Sequence, residues 1–169
     1  TMVGKQGNVL LVNGRRAGVL SVPTGARERW RFVNAANGRY FNLRVPGHDL
    51  LVVGTDGGLV PAPYRASTLL VAPGERYEVI VSFDEAEGAR LALETIHYDR
   101  GHELPDQGPR ALFDIEVRGR SERALRPLPT QQRVIAPLDL PASTPRRRFA
   151  LQERENADGV VFSINGESW

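Results

Sequence analysis

Side chains alternate between two environments most clearly in RERWRFVNAANGRYFNLRV, residues 27–45. In the first half of this stretch Trp30 and Phe32 fall on one face, and Arg29 and Arg31 fall on the other. Alternation with a period of two and one polar face is typical of a half-buried strand in an antiparallel sheet. The pattern resumes at residue 40, so the stretch predicts two successive strands.

Similar strand signals lie on both sides of this stretch, and turn signals separate them. Asn13-Gly14, for example, is a dipeptide that readily accepts positive φ angles and predicts a tight turn. A second Asn-Gly dipeptide, Asn165-Gly166, ends the strand signal of residues 160–164. Strands at intervals of about 8–12 residues are typical of a β-sandwich or barrel. Since no convincing amphipathic helix interrupts them, the predicted fold is all-β. The predicted strands are residues 9–12, 19–22, 27–34, 40–45, 50–53, 69–71, 77–81, 91–95, 112–117, 149–151 and 160–164.

The composition is that of a globular protein of ordinary domain size. The chain has 169 residues, of which 41% are hydrophobic and 25% charged, which leaves room for one core and an appended arm. The 17 Gly and 12 Pro residues fit a sheet protein with many turns. No apolar stretch approaches the roughly 18–20 residues that a membrane span needs, and no signal segment opens the chain.

Charge patterning gives no support for a nucleic-acid partner. The formal net charge is +2 although the pI is about 9.4, because nearly all bases are arginines, which do not titrate near neutrality. The densest basic cluster, residues 146–148, lacks the aromatic or glycine pattern of a nucleic-acid module. We expect these arginines to be solvated or to form ion pairs.

The chain contains no cysteine and three histidines, His48, His97 and His102. The absence of cysteine excludes a disulfide framework, a zinc–cysteine site and a thiol nucleophile. Glycine-rich phosphate loops and Gly-x-Ser-x-Gly elbows are absent from the sequence as well. No catalytic, cofactor-binding or metal-binding residue is therefore predicted in this chain.

The composition changes near residue 118, which predicts a division of the chain into three parts. Residues 1–118 carry most of the strand signals and are predicted to form the sandwich. Residues 119–148 contain five prolines and no stable period, as in a stiff, extended linker. Residues 149–169 are predicted to be a returning strand pair or the start of a following domain. Both chain ends are expected to be cut from a longer protein.

Five phrases resemble, in order and spacing, parts of the multicopper oxidase family, which includes the bacterial laccases. Four are similar to the second, central cupredoxin-like domain of that family, and the fifth is similar to the crossing into the third domain. The resemblance implies a cupredoxin-like Greek-key β-sandwich or barrel, followed by a Pro- and Arg-rich linker. The phrases are GNVLLVNG (7–14), RERWRFVNAANGRYFNLRV (27–45), GHDLLVVGTDGGLV (47–60), LLVAPGERYEVIVSFD (69–84) and FALQERENADGVVFSINGESW (149–169).

Copper in this family is held by His-x-His pairs in the first and third domains and by a cysteine flanked by histidines. The central domain normally binds none. A blue copper site needs a thiolate and two imidazoles. No family copper ligand can be carried over to any position here, because the chain has no Cys and no His-x-His. The resemblance therefore implies copper only elsewhere in the parent protein, the longer protein of which this chain would be a segment.

The resemblance also implies a role for the chain and partners for it. The chain would be a central structural domain that positions the flanking first and third cupredoxin domains. The parent would oxidise phenols, amines or metal ions and reduce dioxygen to water, in the periplasm or outside the cell. Two alternatives stay open: a copper-free relative with a structural or cell-envelope role, and a stand-alone β-sandwich binding module with an exposed aromatic platform.

A polar corner between two predicted strands is one candidate for contacts with neighbouring domains or with substrate at an oxidase entrance. It consists of Asn34, Asn37 and Arg39. In the resembling family this region packs domains together, which makes an interdomain role one candidate for these residues.

A polar loop is the second candidate for such contacts. It contains His97 and His102, with carboxylates at Asp99, Glu103 and Asp106. Imidazoles and carboxylates suit a metal or a substrate at the mouth of an active site. A solvated polar loop explains the same residues without a ligand. The remaining histidine, His48, is expected to be partly buried in a turn.

Overall fold

The computed structural model describes residues 4–16, 18–101, 106, 108–136, 138–139, 141, 144–157 and 159–168. Within these ranges the secondary structure consists of strands, and none of the described residues forms a helix long and apolar enough to cross a membrane. The strands are β1 (Val19–Thr24), β2 (Ala26–Val33), β3 (Phe41–Arg44), β4 (Leu50–Thr55), β5 (Gly58–Ala66), β6 (Leu69–Val71), β7 (Arg76–Phe83), β8 (Arg90–Ile96), β9 (Arg110–Arg120), β10 (Leu151–Asn156), β11 (Gly159–Ile164) and β12 (Glu167–Ser168).

The chain divides into two compact units, Thr1–Ile135 and Ala136–Trp169. The first contains β1 to β9 and the second contains β10 to β12. The predicted linker, residues 119–148, includes the point of division. Its bounds, and those of the predicted sandwich and C-terminal part, stay predictions.

Two sheets make up the first unit. One has five strands in the order β1-β9-β8-β3-β6, and the other has four in the order β2-β7-β4-β5. β1 runs parallel to β9, and the other pairs in both sheets are antiparallel. Neighbours that are distant in sequence, such as β3 and β8 or β2 and β7, show that the chain crosses repeatedly between the sheets. The prediction of an all-β sandwich is confirmed.

Alternating side chains from both sheets form the core of the first unit. Phe83, Leu50, Leu93 and Ile115 are among its fully buried members. Trp30 lies against Phe83 of β7 and Phe113 of β9, with ring centroids 5.8 Å apart in both pairs. The aromatic side chains of the alternating stretch therefore face inward, as predicted, and do not form the exposed platform that a stand-alone binding module would present.

Strand β4 is buried on both faces. Leu50 and Val52 belong to the core between the sheets, whereas Leu51 and Val53, on the opposite face, are only 8% and 2% exposed. A strand that is apolar on both faces needs cover on both. The chain that follows β9 provides cover on the outer side, since Leu51 and Leu128 line one cavity. The first part of the predicted linker thus contributes to the packing of this unit.

Gln132 anchors this covering segment to the sheet. The pairing of β4 with β5 shifts register between Val52 and Gly54. At this irregularity the Gln132 side-chain amide donates hydrogen bonds to the carbonyl oxygens of Val53 and Val60, at 2.7 and 3.3 Å. The Gln132 backbone N–H donates to the Pro61 carbonyl oxygen at 2.8 Å. The segment therefore bonds to the sheet at a place where the regular ladder is interrupted.

Two local predictions were wrong. Residues 9–12 do not form a strand; Val12 makes only a single bridge with Arg15. The turn between them is as predicted, with φ angles of 51° at Asn13 and 77° at Gly14. Strand β5 was not predicted, because it contains Pro61 and Pro63. Proline is tolerated there because β5 lies at the edge of its sheet.

The second unit is a small antiparallel sheet in the order β10-β11-β12. Its register runs from Leu151 opposite Ile164 to Asn156 opposite Gly159. The predicted turn at Asn165-Gly166 is present, with φ angles of 55° and 86°, and leads from β11 into β12. The strand predicted for residues 149–151 begins two residues later and extends to Asn156.

Replacing Gln132 by alanine removes its two side-chain hydrogen bonds to β4 and β5. We expect the free energy of unfolding to fall by about 1–2 kcal/mol, as measured by urea denaturation. Gln131→Ala is the matched control, since Gln131 is the adjacent residue of the same type and is exposed. Equal losses of stability in the two variants would contradict the anchoring role of Gln132.

An ion-pair cluster between β2 and β7 predicts a dependence of stability on pH. The pKa of Glu78 is held below its ordinary value, chiefly by a hydrogen bond from Arg29, with further attraction from Arg29 and Arg31 and with burial opposing the shift. A carboxylate with a lowered folded-state pKa stabilises the fold above its unfolded-state pKa of about 4.3, and this contribution is lost as the pH falls.

We therefore expect Glu78→Gln to lower the free energy of unfolding at neutral pH by up to about 1 kcal/mol, because the pair is partly exposed. The difference from the wild type should shrink below about pH 4. Denaturant unfolding across the pH range measures it. The control is Glu87→Gln, at an exposed loop position. A difference that stays constant with pH would rule out the ion pair as its cause.

Candidate functional site

The buried side chain of Asn34 stabilises the polar corner through three hydrogen bonds within the domain. Its side-chain amide donates to the carbonyl oxygens of Arg39 and Val71 at 2.8 and 2.9 Å, and its side-chain oxygen accepts from the Ala36 N–H at 3.0 Å. The residue is only 4% exposed. A buried amide with its hydrogen bonds satisfied in this way fixes the path of the loop between β2 and β3.

The residues of this corner that were predicted to contact other domains therefore differ in their accessibility to such a partner. The Asn34 side chain is committed to bonds within the domain, whereas Asn37, in the same loop, is exposed. Arg39 is partly buried and ties the N-terminal segment to the corner. Its Nε and Nη2 atoms donate to the carbonyl oxygens of Gln6 and Gly7 at 3.0 and 2.7 Å. An interdomain role for these residues stays a prediction.

Arg39 and His97, predicted as parts of two separate candidates, line one small cavity of about 100 Å³. The structure thus brings the polar corner and the polar loop together at one end of the five-stranded sheet. Burial, together with the positive charge of Arg110, lowers the pKa of Arg39. The described residues that line the cavity are Gln6, Arg39, Tyr40, Thr95, Ile96, His97, Tyr98, Arg100, Gly108 and Arg110.

A stacked tyrosine pair forms one side of this cavity. The rings of Tyr40 and Tyr98 have centroids 5.8 Å apart and an interplanar angle of 26°. The Arg100 guanidinium carbon lies 4.4 Å from the Tyr40 centroid, a cation–π distance, and its Nη1 donates to the Gly38 carbonyl oxygen at 3.2 Å. The sequence analysis missed Tyr98 and Arg100 as site residues.

The register of β3 and β8 supplies the signal that would have found the tyrosine pair. Asn42 pairs with Ile96 in this antiparallel ladder. Continuing the register outward by two residues on each strand places Tyr40 opposite Tyr98, on the same face of the sheet. Both tyrosines are visible in the sequence, but their juxtaposition depends on a pairing of strands that are distant along the chain.

In the part of the polar loop that the structure describes, two carboxylates are engaged in turns. The Asp99 and Asp106 carboxylates accept from the backbone N–H groups of Gly101 and Gly108, both at 2.7 Å, as in Asx turns. His97 Nδ1 lies 3.9 Å from Asp106 Oδ1. The other two residues of the proposed constellation, His102 and Glu103, lie outside the described residues.

His48 is a partly buried turn histidine, as predicted. Its side chain is 10% exposed, and Nε2 lies 2.8 Å from Glu85 Oε1. Nδ1 lies 3.1 Å from the Pro46 carbonyl oxygen, and the ring packs at 5.6 Å from Phe83. These contacts connect the turn before β4 to the turn after β7, which is a structural role.

The residues of this chain do not fit the copper centres that the resemblance implies for a parent protein. A blue site requires a cysteine thiolate and imidazoles, and the sequence has no cysteine and three histidines at separate positions. Across the part of the chain that the structure describes, no group of three or more His, Cys, Asp or Glu side chains could hold a metal ion. No step involving copper can be assigned to these residues.

Asn34→Ala tests whether the corner depends on the buried amide. The substitution leaves backbone groups of Arg39, Val71 and Ala36 without their side-chain partner, so we expect the free energy of unfolding to fall by about 2–3 kcal/mol. Chemical denaturation measures the loss. Asn37→Ala, a matched change at the exposed position of the same loop, should cost less than about 0.5 kcal/mol. A similar loss in both variants would refute a special role for Asn34.

Known proteins similar to this chain include laccases, multicopper oxidases and a cell division protein. A laccase of Bacillus subtilis is 38% identical over 88 residues, which are 52% of this chain and 17% of the laccase. The cell division protein FtsP of Edwardsiella tarda is 41% identical over 85 residues, 50% of this chain and 18% of that protein. The chain thus matches less than a fifth of the length of either relative.

The fold is also found in solved structures. A variant of the McoA multicopper oxidase from Aquifex aeolicus superposes on 99% of this chain and 36% of that protein, with a TM-score of 0.84 and 26% identity. This similarity confirms the predicted cupredoxin-like fold. The sequence profile described as Multicopper oxidase matches residues 1–93, more than half of the chain. The chain belongs to the multicopper oxidase family.

Proposed function

We propose that this chain is the central, copper-free cupredoxin-like domain of a laccase-like multicopper oxidase, and that it positions the copper-bearing first and third domains. The observation that carries the proposal is a family match over residues 1–93 in a chain that has no cysteine and no His-x-His pair. A domain of this family without copper ligands contributes through its shape and its contacts.

Exposed apolar side chains support contacts with neighbouring domains. Leu11 and Val33 are 56% and 65% exposed and line one shallow cavity of about 150 Å³ at the rim of the core. Val19, on the edge strand β1, is 64% exposed. Apolar side chains mark a surface that meets another domain or protein where they form a contiguous patch. These residues are the ones we expect flanking domains to cover.

The proposed parent protein takes electrons from phenols, amines or metal ions and passes them to copper that the flanking domains hold, where dioxygen is reduced to water. The similarity to a laccase supports this reaction class. A periplasmic or extracellular location is part of the same proposal. This chain supplies no reacting group to that chemistry; its role is to set the distance and orientation of the domains that do.

The FtsP similarity supports a second candidate, a copper-free member of the family with a structural role in the cell envelope. Over about half of its length the chain is 41% identical to a cell division protein of this name and 38% identical to a laccase, so the matched residues favour neither function. A central domain without copper ligands would look the same in both proteins. The ligands in the flanking domains distinguish the two candidates.

The parent protein provides the test. Its gene should encode His-x-His pairs before this segment and a cysteine flanked by histidines after it. The purified parent should retain copper through dialysis and consume dioxygen when a phenol is added, while the 169-residue chain alone should do neither. Flanking domains that lack those ligands, together with a parent that retains no copper, would overturn the oxidase proposal in favour of the structural candidate.

A further inference from the structure

Asparagine is followed by glycine at three places in the sequence, Asn13-Gly14, Asn37-Gly38 and Asn165-Gly166. Such a pair is prone to spontaneous deamidation, in which the glycine backbone nitrogen attacks the side-chain carbonyl carbon of the asparagine. Glycine favours the attack because it has no Cβ to hinder its own nitrogen. The rate then depends on whether the two groups can approach each other, and the structure gives the three pairs different freedom to do so.

Two of the pairs are held in hydrogen-bonded turns. Asn13 has a φ of 51° and lies between Val12 and Arg15, whose backbone groups exchange hydrogen bonds of 2.8 and 3.0 Å. Asn165 has a φ of 55°, and its backbone N–H donates to the Ala150 carbonyl oxygen at 2.9 Å. Its side-chain oxygen accepts from the Ala150 N–H at 2.9 Å. These bonds oppose the rotations that ring closure requires.

Asn37 lacks restraints of this kind. It is exposed in the loop between β2 and β3, and its φ is outside the left-handed region. Within the described part of the chain, no hydrogen bond engages the Asn37 side chain or the backbone N–H of Gly38. The Gly38 carbonyl oxygen accepts from Arg100, but this group lies beyond the reacting nitrogen. The carbon that is attacked and the nitrogen that attacks it are therefore both available.

We propose that Asn37 is a site of spontaneous deamidation and reacts before the other two asparagines. The Gly38 N–H loses its proton to hydroxide, and the nitrogen forms a bond to Cγ of Asn37. The Cγ–Nδ2 bond breaks, and the leaving nitrogen takes up a proton from water and departs as ammonia. Water then opens the five-membered succinimide at either carbonyl. The products are aspartate and isoaspartate, in which the backbone runs through the former side chain.

Isoaspartate at position 37 disturbs the polar corner, because hydrogen bonds of the corner lie on both sides of that position. The Asn34 side chain accepts from the Ala36 N–H at 3.0 Å and donates to the Arg39 carbonyl oxygen at 2.8 Å. An isoaspartyl linkage inserts an extra backbone methylene group between these two partners, whereas aspartate keeps the backbone length and adds only a charge. We therefore expect isoaspartate to lower the stability of the chain more than aspartate does.

Peptide mapping by mass spectrometry tests the proposal on the 169-residue chain. The folded chain is incubated at mildly alkaline pH, and all three asparagines are followed in the same digests. We expect Asn37 to react at least about tenfold faster than Asn13 or Asn165, equivalent to about 1.4 kcal/mol in activation free energy. The rate at Asn37 should rise with pH, because the attacking nitrogen must lose its proton.

The same chain in guanidinium chloride is the matched control. Unfolding removes the turns, and since each asparagine precedes a glycine, the three rates should become similar. Equal rates in the folded chain, or faster reaction at Asn13 or Asn165, would overturn the proposal.

Two variants separate the reaction from its consequence. Asn37→Gln should form no succinimide at this position, since its longer side chain would close a larger ring, while Asn13 and Asn165 react as before. Freshly purified Asn37→Asp carries the charge without the longer backbone and should melt close to the fresh wild type. Aged wild type enriched in isoaspartate should melt lower than both. Equal losses in aged wild type and aged Asn37→Gln would contradict the effect on the corner.

Discussion

The double-sided burial of β4 is the constraint on which much of the first unit depends. Its inner residues complete the core between the sheets, and its outer residues would expose apolar surface if the chain ended after β9. The segment that carries Leu128 and Gln132 covers that side and bonds to the sheet where β4 and β5 lose register. A proline-rich connection thus serves as part of the domain, because a doubly apolar strand requires cover.

The position of the candidate site depends on a second buried interaction, the hydrogen-bonded side-chain amide of Asn34. By fixing the loop between β2 and β3, Asn34 places Arg39 beside the end of β8. The antiparallel register of β3 and β8 then brings Tyr40 opposite Tyr98 and adds Arg100 to the same cavity. The convergence of these arginines and tyrosines is therefore a consequence of sheet geometry.

Local patterns were sufficient to predict the all-β class, most strands and the turns at Asn13-Gly14 and Asn165-Gly166, because these features depend on neighbouring residues. Strand β5 was not predicted because it contains prolines. These prolines are tolerated because β5 lies at the edge of its sheet. The role of Gln132 and the pairing of Tyr40 with Tyr98 depend on contacts across 79 and 58 residues of sequence. Arg39 and His97 were recognised individually, but only the fold shows that they share a cavity.

We propose that this member of the multicopper oxidase family binds no copper itself and acts through its shape. Elemental analysis tests it most directly: the purified chain is incubated with excess copper under reducing and then oxidising conditions, dialysed extensively and measured for metal per chain. We predict copper well below one equivalent, since the chain offers no thiolate and no paired imidazoles. One tightly held copper equivalent per folded chain would contradict the claim.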